Sequence, residues 1–213
     1  MSLQPIKTTT TWTEAWRQNN FRLQLLITLF CLIVILTIIP QFFLFIQNRN
    51  GFVINDWLLI LLYPKDFSIY IFTFIYSSII IALFSLLQQP INFLRLLQAY
   101  IFLTCLRILC ILFVPLNAPS GYIDLVDPII GQIAYGGNYI DKDLFFSGHV
   151  SVLFLLFLFE SNRFLKIAFL SSTILVAILL LVQHVHYTID VIAALIFAWF
   201  SQRIILFLFD IKN

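Results

Sequence analysis

From Phe21 onward, blocks of about 20 apolar residues parted by short polar stretches dominate this chain. A hydrocarbon core about 30 Å thick takes about that much helix to cross. The blocks therefore predict six helical spans, over 23–46, 67–87, 92–114, 145–159, 164–182 and 187–209. The fourth is short, and the reading extends it to Ser161. Pro40 falls inside the first, where a membrane helix tolerates it if neighbours take up the freed carbonyl. The tract from Phe164 to Phe209 contains no Gly or Pro and as one helix would run about 70 Å. It must break, and its polar stretch QHVHYTID (183–190) is where the break is expected.

Composition sharpens this pattern. With 62% hydrophobic and 10% charged residues, the chain lies far from a soluble domain, which is about 25% charged. A net charge of +2 makes no case for nucleic acid. The polar first 20 residues, and the lack of a small-residue cleavage site after the first block, predict a retained anchor instead of a cleaved signal. Cys31, Cys105 and Cys110 fall inside spans without CxxC spacing, so buried inert thiols are expected and not a disulfide or zinc framework. TTTTWTEAWRQNNFR (8–22) offers a capping box from Thr11 to Glu14, with Trp12 and Trp16 on one helical face. Residues 1–22 are thus read as a cytoplasmic segment with an interfacial helix, and 23–213 as the membrane domain.

Charge sets the orientation. With the N-terminus cytoplasmic, Lys7, Arg17, Arg22, Arg95, Arg163, Lys166, Arg203 and Lys212 fall inside, and only Arg49, Lys65 and Lys142 outside. Eight against three follows the positive-inside rule, so both termini are expected in the cytoplasm. Asp56, Asp66, Asp124, Asp127, Asp141 and Asp143 then lie outside. SGH (147–149), entering span four, and HVHYTID, between spans five and six, meet on that same outer face. All three histidines of the chain converge there, where ionisable groups are costly and usually functional.

Residues four apart share a helical face, so His186 and Asp190 can touch, whereas His184 cannot join that contact on a regular helix. An Asp on one imidazole nitrogen fixes the tautomer and raises the basicity of the other, as a nucleophilic or general-base histidine needs. His149 supplies a second imidazole able to donate a proton. Ser147 and Gly148 open a helix whose free N–H groups suit an anion. Two histidines, a carboxylate and an anion site together point to phosphoryl transfer. The competing readings are packing histidines and a metal site from His149, His184 and His186. Convergence weakens the first, and two histidines two apart pointing away from each other weakens the second.

DxxxSGH (143–149) followed by HYTIDV (186–191) resembles the sphingomyelin synthase group, a branch of the type 2 phosphatidic acid phosphatase superfamily. His184 fits the HxHYTxD form of that group. The resemblance is strongest from Leu106 to Ala194. It implies His186 as a nucleophile forming a phospho-histidine, Asp190 as its orienting partner, His149 as general acid, a supporting Asp143, and no metal or other cofactor. The wider superfamily carries KxxxxxxRP and an Arg six residues before the nucleophile. Neither is present, Leu180 standing at the second position, which favours the sphingomyelin synthase branch.

Arg107, in the outer half of span three, is then a phosphate-anchoring candidate, or else a structural partner of an outer aspartate. Lys142 is a weaker candidate. His184 is read as a helix cap or a head-group contact and Tyr187 as an interface residue, both around the site. APSGY (118–122) imitates PSGH, but Tyr122 replaces the histidine, so it reads as a turn in an outer loop that Gly136 and Gly137 let fold over the site.

The expected protein is an all-α, six-span membrane enzyme with an extracytoplasmic site, in the bacterial inner membrane, or in Golgi or plasma membrane if eukaryotic. Its partners are the bilayer, a phospholipid donor and a lipid hydroxyl such as that of ceramide or diacylglycerol. A lipid phosphatase using water, on phosphatidate or undecaprenyl pyrophosphate, is the alternative enzyme, and a non-catalytic lipid-binding protein the alternative from another class.

Overall fold

The computed structural model describes residues 10–127 and 141–209. Lys7, Lys212, Gly136 and Gly137, and with the two glycines the expected loop over the site, lie outside the described residues. The helices among the described residues are α1 (Trp12–Arg17), α2 (Asn19–Gln47), α3 (Trp57–Ile60), α4 (Ser68–Leu86), α5 (Pro90–Phe113), α6 (Gly148–Phe159), α7 (Arg163–Val182) and α8 (Thr188–Phe209). Five of them, α2, α4, α5, α7 and α8, are long and apolar enough to cross a bilayer. The chain is a multi-pass membrane protein with an all-helical bundle. The helix α2 runs through Pro40 without ending.

The fourth predicted span departs from expectation. The helix α6 holds 12 residues, a rise of about 18 Å, short of a hydrocarbon core of about 30 Å. It does not extend to Ser161, because Glu160 leaves the helical region at φ −71° and ψ 134°. The Glu160 carboxylate then accepts the N–H groups of Ser161 and Asn162, each at 2.8 Å. Asn162 in turn caps α7 through Phe164 and Leu165. Two side chains satisfy the orphaned amides of the connection, so the chain turns where an apolar count predicted continuation. The helix α6 packs against α5, α7 and α8, burying Val150, Leu153, Leu155 and Phe159. Its apolar residues all round the axis suit a helix enclosed by others.

The cysteine expectation is also corrected. Cys105 is exposed on the bundle surface, and Cys31 and Cys110 are partly so. In a bilayer the surrounding solvent is itself apolar, so a small apolar thiol gains little from an interior position.

At one end of the bundle, α1 carries the predicted capping box between Thr11 and Glu14. Trp12 packs edge-on to Phe21 and Phe93 and donates its indole N–H to the Leu87 carbonyl at 2.5 Å, while Trp16 is exposed. The opposite end gathers the long connections. Phe52 donates its N–H to the Pro115 carbonyl at 2.9 Å, Lys65 to Val182 at 3.4 Å, and Ile123 to Gln183 at 3.3 Å. All the histidines lie at this end.

Candidate active site

The tract 164–209 breaks as its length required. The α7 helix ends with the Val185 N–H on the Leu180 carbonyl and the His184 N–H on Leu181, both at 3.0 Å. This is the paired bonding of a Schellman motif, whose turning residue usually is Gly. Here it is His184, at φ 55°. The His184 Nδ1 lies 2.8 Å from the Ser120 carbonyl oxygen; a carbonyl only accepts, so Nδ1 carries the hydrogen. Its Nε2 is buried without a hydrogen-bond partner among the described residues. His184 is therefore neither a helix cap through its side chain nor exposed to a head group. It grips the PSGY turn, in which Gly121 has φ 81° and a Cβ would come within 3.0 Å of the His184 Nδ1. Tyr122, at the position of the missing histidine, is kept protonated well above the usual phenol range, first by burial and then by Asp124.

His186 Nδ1 lies 3.4 Å from Asp190 Oδ2, and both residues are buried. The contact matches the expectation, but its geometry does not. The helix α8 starts at Thr188, so His186 reaches Asp190 from the turn before the helix, not from a shared helical face. Asp190 Oδ2 also accepts the Tyr187 N–H at 3.1 Å, which fixes the carboxylate while it holds the imidazole. The expectation that Tyr187 is an interface residue fails, since it is fully buried. Its hydroxyl donates to the Asn117 carbonyl at 2.9 Å and accepts the Ile54 N–H at 3.2 Å, stapling two loops to the turn.

The first free amide of α8 is taken by a residue that sequence reading placed outside but gave no role. Thr188 donates its N–H to Asp56 Oδ2 at 2.6 Å and its hydroxyl to Oδ1 at 3.0 Å, while Leu58 N–H reaches the same Oδ1 at 3.1 Å. Burial alone would raise the Asp56 carboxyl; the Thr188 donors and the Leu58 and Leu59 amides outweigh it and hold the group below the usual carboxylate range. An Asp before WLLI is a legible cap for α3. Its second partner, 132 residues away, is not legible.

Ser147 caps α6, accepting the Val150 N–H at 3.5 Å, and its own N–H donates to the Asp190 carbonyl at 3.2 Å. That main-chain bond ties SGH to HYTID. The His149 ring stands edge-on to Phe72 at 5.7 Å and lies within electrostatic reach of His186, Arg107, Asp143 and Asp127. Its Nδ1 is buried with no hydrogen-bond partner among the described residues.

Arg107 is the partner of an outer aspartate, the second of its two sequence readings. Its guanidinium pairs with Asp143, donates through Nε to the Phe146 carbonyl at 3.0 Å, and lies over the Phe43 ring. It also packs on Gly148 so closely that a Cβ there would sit 2.8 Å from the guanidinium carbon. Arg107, Asp143, Gly148 and His149 line the polar end of a cavity of about 490 Å³, which continues between α2, α4, α5 and α6 to Leu86 and Phe93. His186 and Lys142 are not among its lining residues. Lys142 instead donates to the Arg49 carbonyl. Among the described residues, no group of three or more His, Cys, Asp or Glu is placed to hold a metal ion.

The model of the PAP2 superfamily C-terminal region matches residues 142–206, a stretch that begins beside Asp143 and contains SGH, α6, α7, HYTID and most of α8. No curated protein matches the chain. The family match covers less than a third of the sequence, and it supports the PAP2 superfamily and, with it, lipid phosphoryl chemistry of the phosphatase or phosphotransferase type.

Proposed function

We propose that the chain is a membrane lipid phosphotransferase of the sphingomyelin synthase-like type. In this reading α6 completes six spans, both termini are cytoplasmic and the site faces the extracytoplasmic side. The observation that carries the proposal is the Ser147 to Asp190 main-chain bond. It fixes the start of α6, with Arg107 against Gly148, beside the turn in which Asp190 holds His186.

Asp190 accepts the Nδ1 hydrogen of His186 and leaves Nε2 with its lone pair. Nε2 attacks the phosphorus of a membrane phospholipid, the bond to the lipid alcohol oxygen breaks, and His149 gives that oxygen its proton. The acceptor hydroxyl of ceramide or diacylglycerol then attacks the phospho-histidine, passes its proton to His149 and restores His186. The phospho-head-group moves between two lipid alcohols with every atom accounted for. Arg107, held by Asp143, and the amides opening α6 stabilise the charge on the phosphoryl oxygens. Ser147 and Gly148 shape that helix start, and His184 and Tyr187 hold the turn. No metal or other cofactor takes part.

The superfamily match carries water as acceptor equally well, so a lipid phosphatase is the second reading. Purified protein in vesicles with head-group-labelled phospholipid and ceramide separates them. Labelled sphingophospholipid is the expected product; release of only free phosphate or phospho-head-group would replace the first reading by the second. Full turnover by His186→Ala would end both.

A further inference from the structure

Between α2 and α4 the chain crosses the site end of the bundle with its apolar side chains outward. Phe52, Trp57, Ile60, Leu61 and Tyr63 are each at least 70% exposed. Leu59 alone of α3 turns inward, packing with Leu116, Leu144 and Tyr187. The one carboxylate within residues 52–63, Asp56, faces inward, on Thr188. A contiguous apolar face of this kind marks a contact surface, and its level in the fold says with what. Phe52 is bonded to Pro115 and Asn117, just beyond the end of α5, and Lys65 to Val182, the last residue of α7. The segment thus lies where the spans end, continuous with their exposed apolar residues Phe45, Ile69, Tyr70 and Phe113. Trp57 and Tyr63 join an apolar ring to a polar tip, the side chains enriched at the boundary between acyl chains and head groups.

We propose that residues 52–63 dock in the lipid boundary on the site side of the bundle, their occupant being phospholipid and not water or a second copy of the chain. The inference needs only a membrane-spanning bundle and not the phosphotransferase reading. It gives the docked segment a direct link to the HYTID turn, since Asp56 in its middle caps α8.

The test uses the full chain in phosphatidylcholine vesicles, comparing parent with Trp57→Phe, so that the difference isolates Trp57 fluorescence from the other three tryptophans. Phosphatidylcholine brominated on its acyl chains should quench the Trp57 signal at least twofold, and aqueous acrylamide should quench it several-fold less than free tryptophan. Quenching by acrylamide as for free tryptophan, without quenching by bromolipid, would put the segment in water and overturn the proposal. Shielding from both quenchers would assign the face to a second copy and overturn it too. Tyr63→Trp in the Trp57→Phe background moves the probe within the segment and must give the same pattern.

Discussion

Asp56 and Thr188, 132 residues apart, meet through two hydrogen bonds that place a carboxylate on the first turn of the helix carrying Asp190. A negative charge at a helix start is favourable, and here it also fills an amide that nothing else in the helix can satisfy. The folded carboxyl lies below its ordinary value. Its contribution to stability is therefore fully present above the unfolded value, about 3.9, and is lost as pH falls through the lower folded value. The melting-temperature gap between parent and Asp56→Asn in detergent should stay constant from pH 7 to about pH 5 and shrink below about pH 4. A gap that widens in acid would show that Asp56 is not held as an anion by α8.

Asp190 holds His186 by its side chain and Ser147 by its carbonyl, so only the first function is open to substitution. Asp190→Asn should lower turnover by a factor on the order of 10⁴, as when an orienting Asp is lost from a comparable pair, and His186→Ala should abolish it. Ser147→Ala keeps the main-chain bond and removes a cap worth about 1 kcal/mol. Turnover within tenfold of the parent is expected for it, with a lowered melting temperature. Equal losses in Ser147→Ala and Asp190→Asn would argue against the assigned roles.

Arg107 uses its fork on Asp143 and the Phe146 carbonyl together, a geometry that Lys cannot reproduce. Arg107→Lys should reduce kcat by about 10²-fold, near the effect of losing one charge-stabilising donor. Gly148→Ala inserts a Cβ where the guanidinium packs, and should also lower kcat while leaving the melting temperature within a few degrees. If Gly148→Ala has parental kcat, the contact between Arg107 and the start of α6 carries no catalytic weight.

His184 sits at φ 55°, a region Asn tolerates and β-branched residues do not. His184→Asn should fold with a small loss of stability. His184→Val adds a backbone cost of about 1–2 kcal/mol, so it should melt lower than the Asn variant. The reverse order would mean that the backbone of this turn relaxes freely.

Local pattern determined much of this protein. Apolar blocks located α2, α4, α5, α7 and α8 to within a few residues, because crossing a hydrocarbon core demands about 20 apolar residues in a row. The unbroken tract 164–209 announced its own turn, since no single helix of that length fits the bilayer. Thr11 and Glu14 declared the capping box by spacing alone, and the i, i+4 spacing paired His186 with Asp190. Even there the sequence supplied the partner without the geometry, because His186 lies in the turn ahead of α8.

Other features were decided only when distant segments met. The shortness of α6 follows from Glu160 folding back on the amides of Ser161 and Asn162, which an apolar count cannot register. Tyr187 turns inward because Asn117 and Ile54 offer it partners, and His184 is anchored by a carbonyl 64 residues away. Arg107 serves Asp143 and Gly148 together because α5 passes both. Hydropathy measures what each residue gains from lipid, whereas these contacts depend on which polar groups the packing of helices brings within about 3 Å, and that distance is a property of the whole bundle.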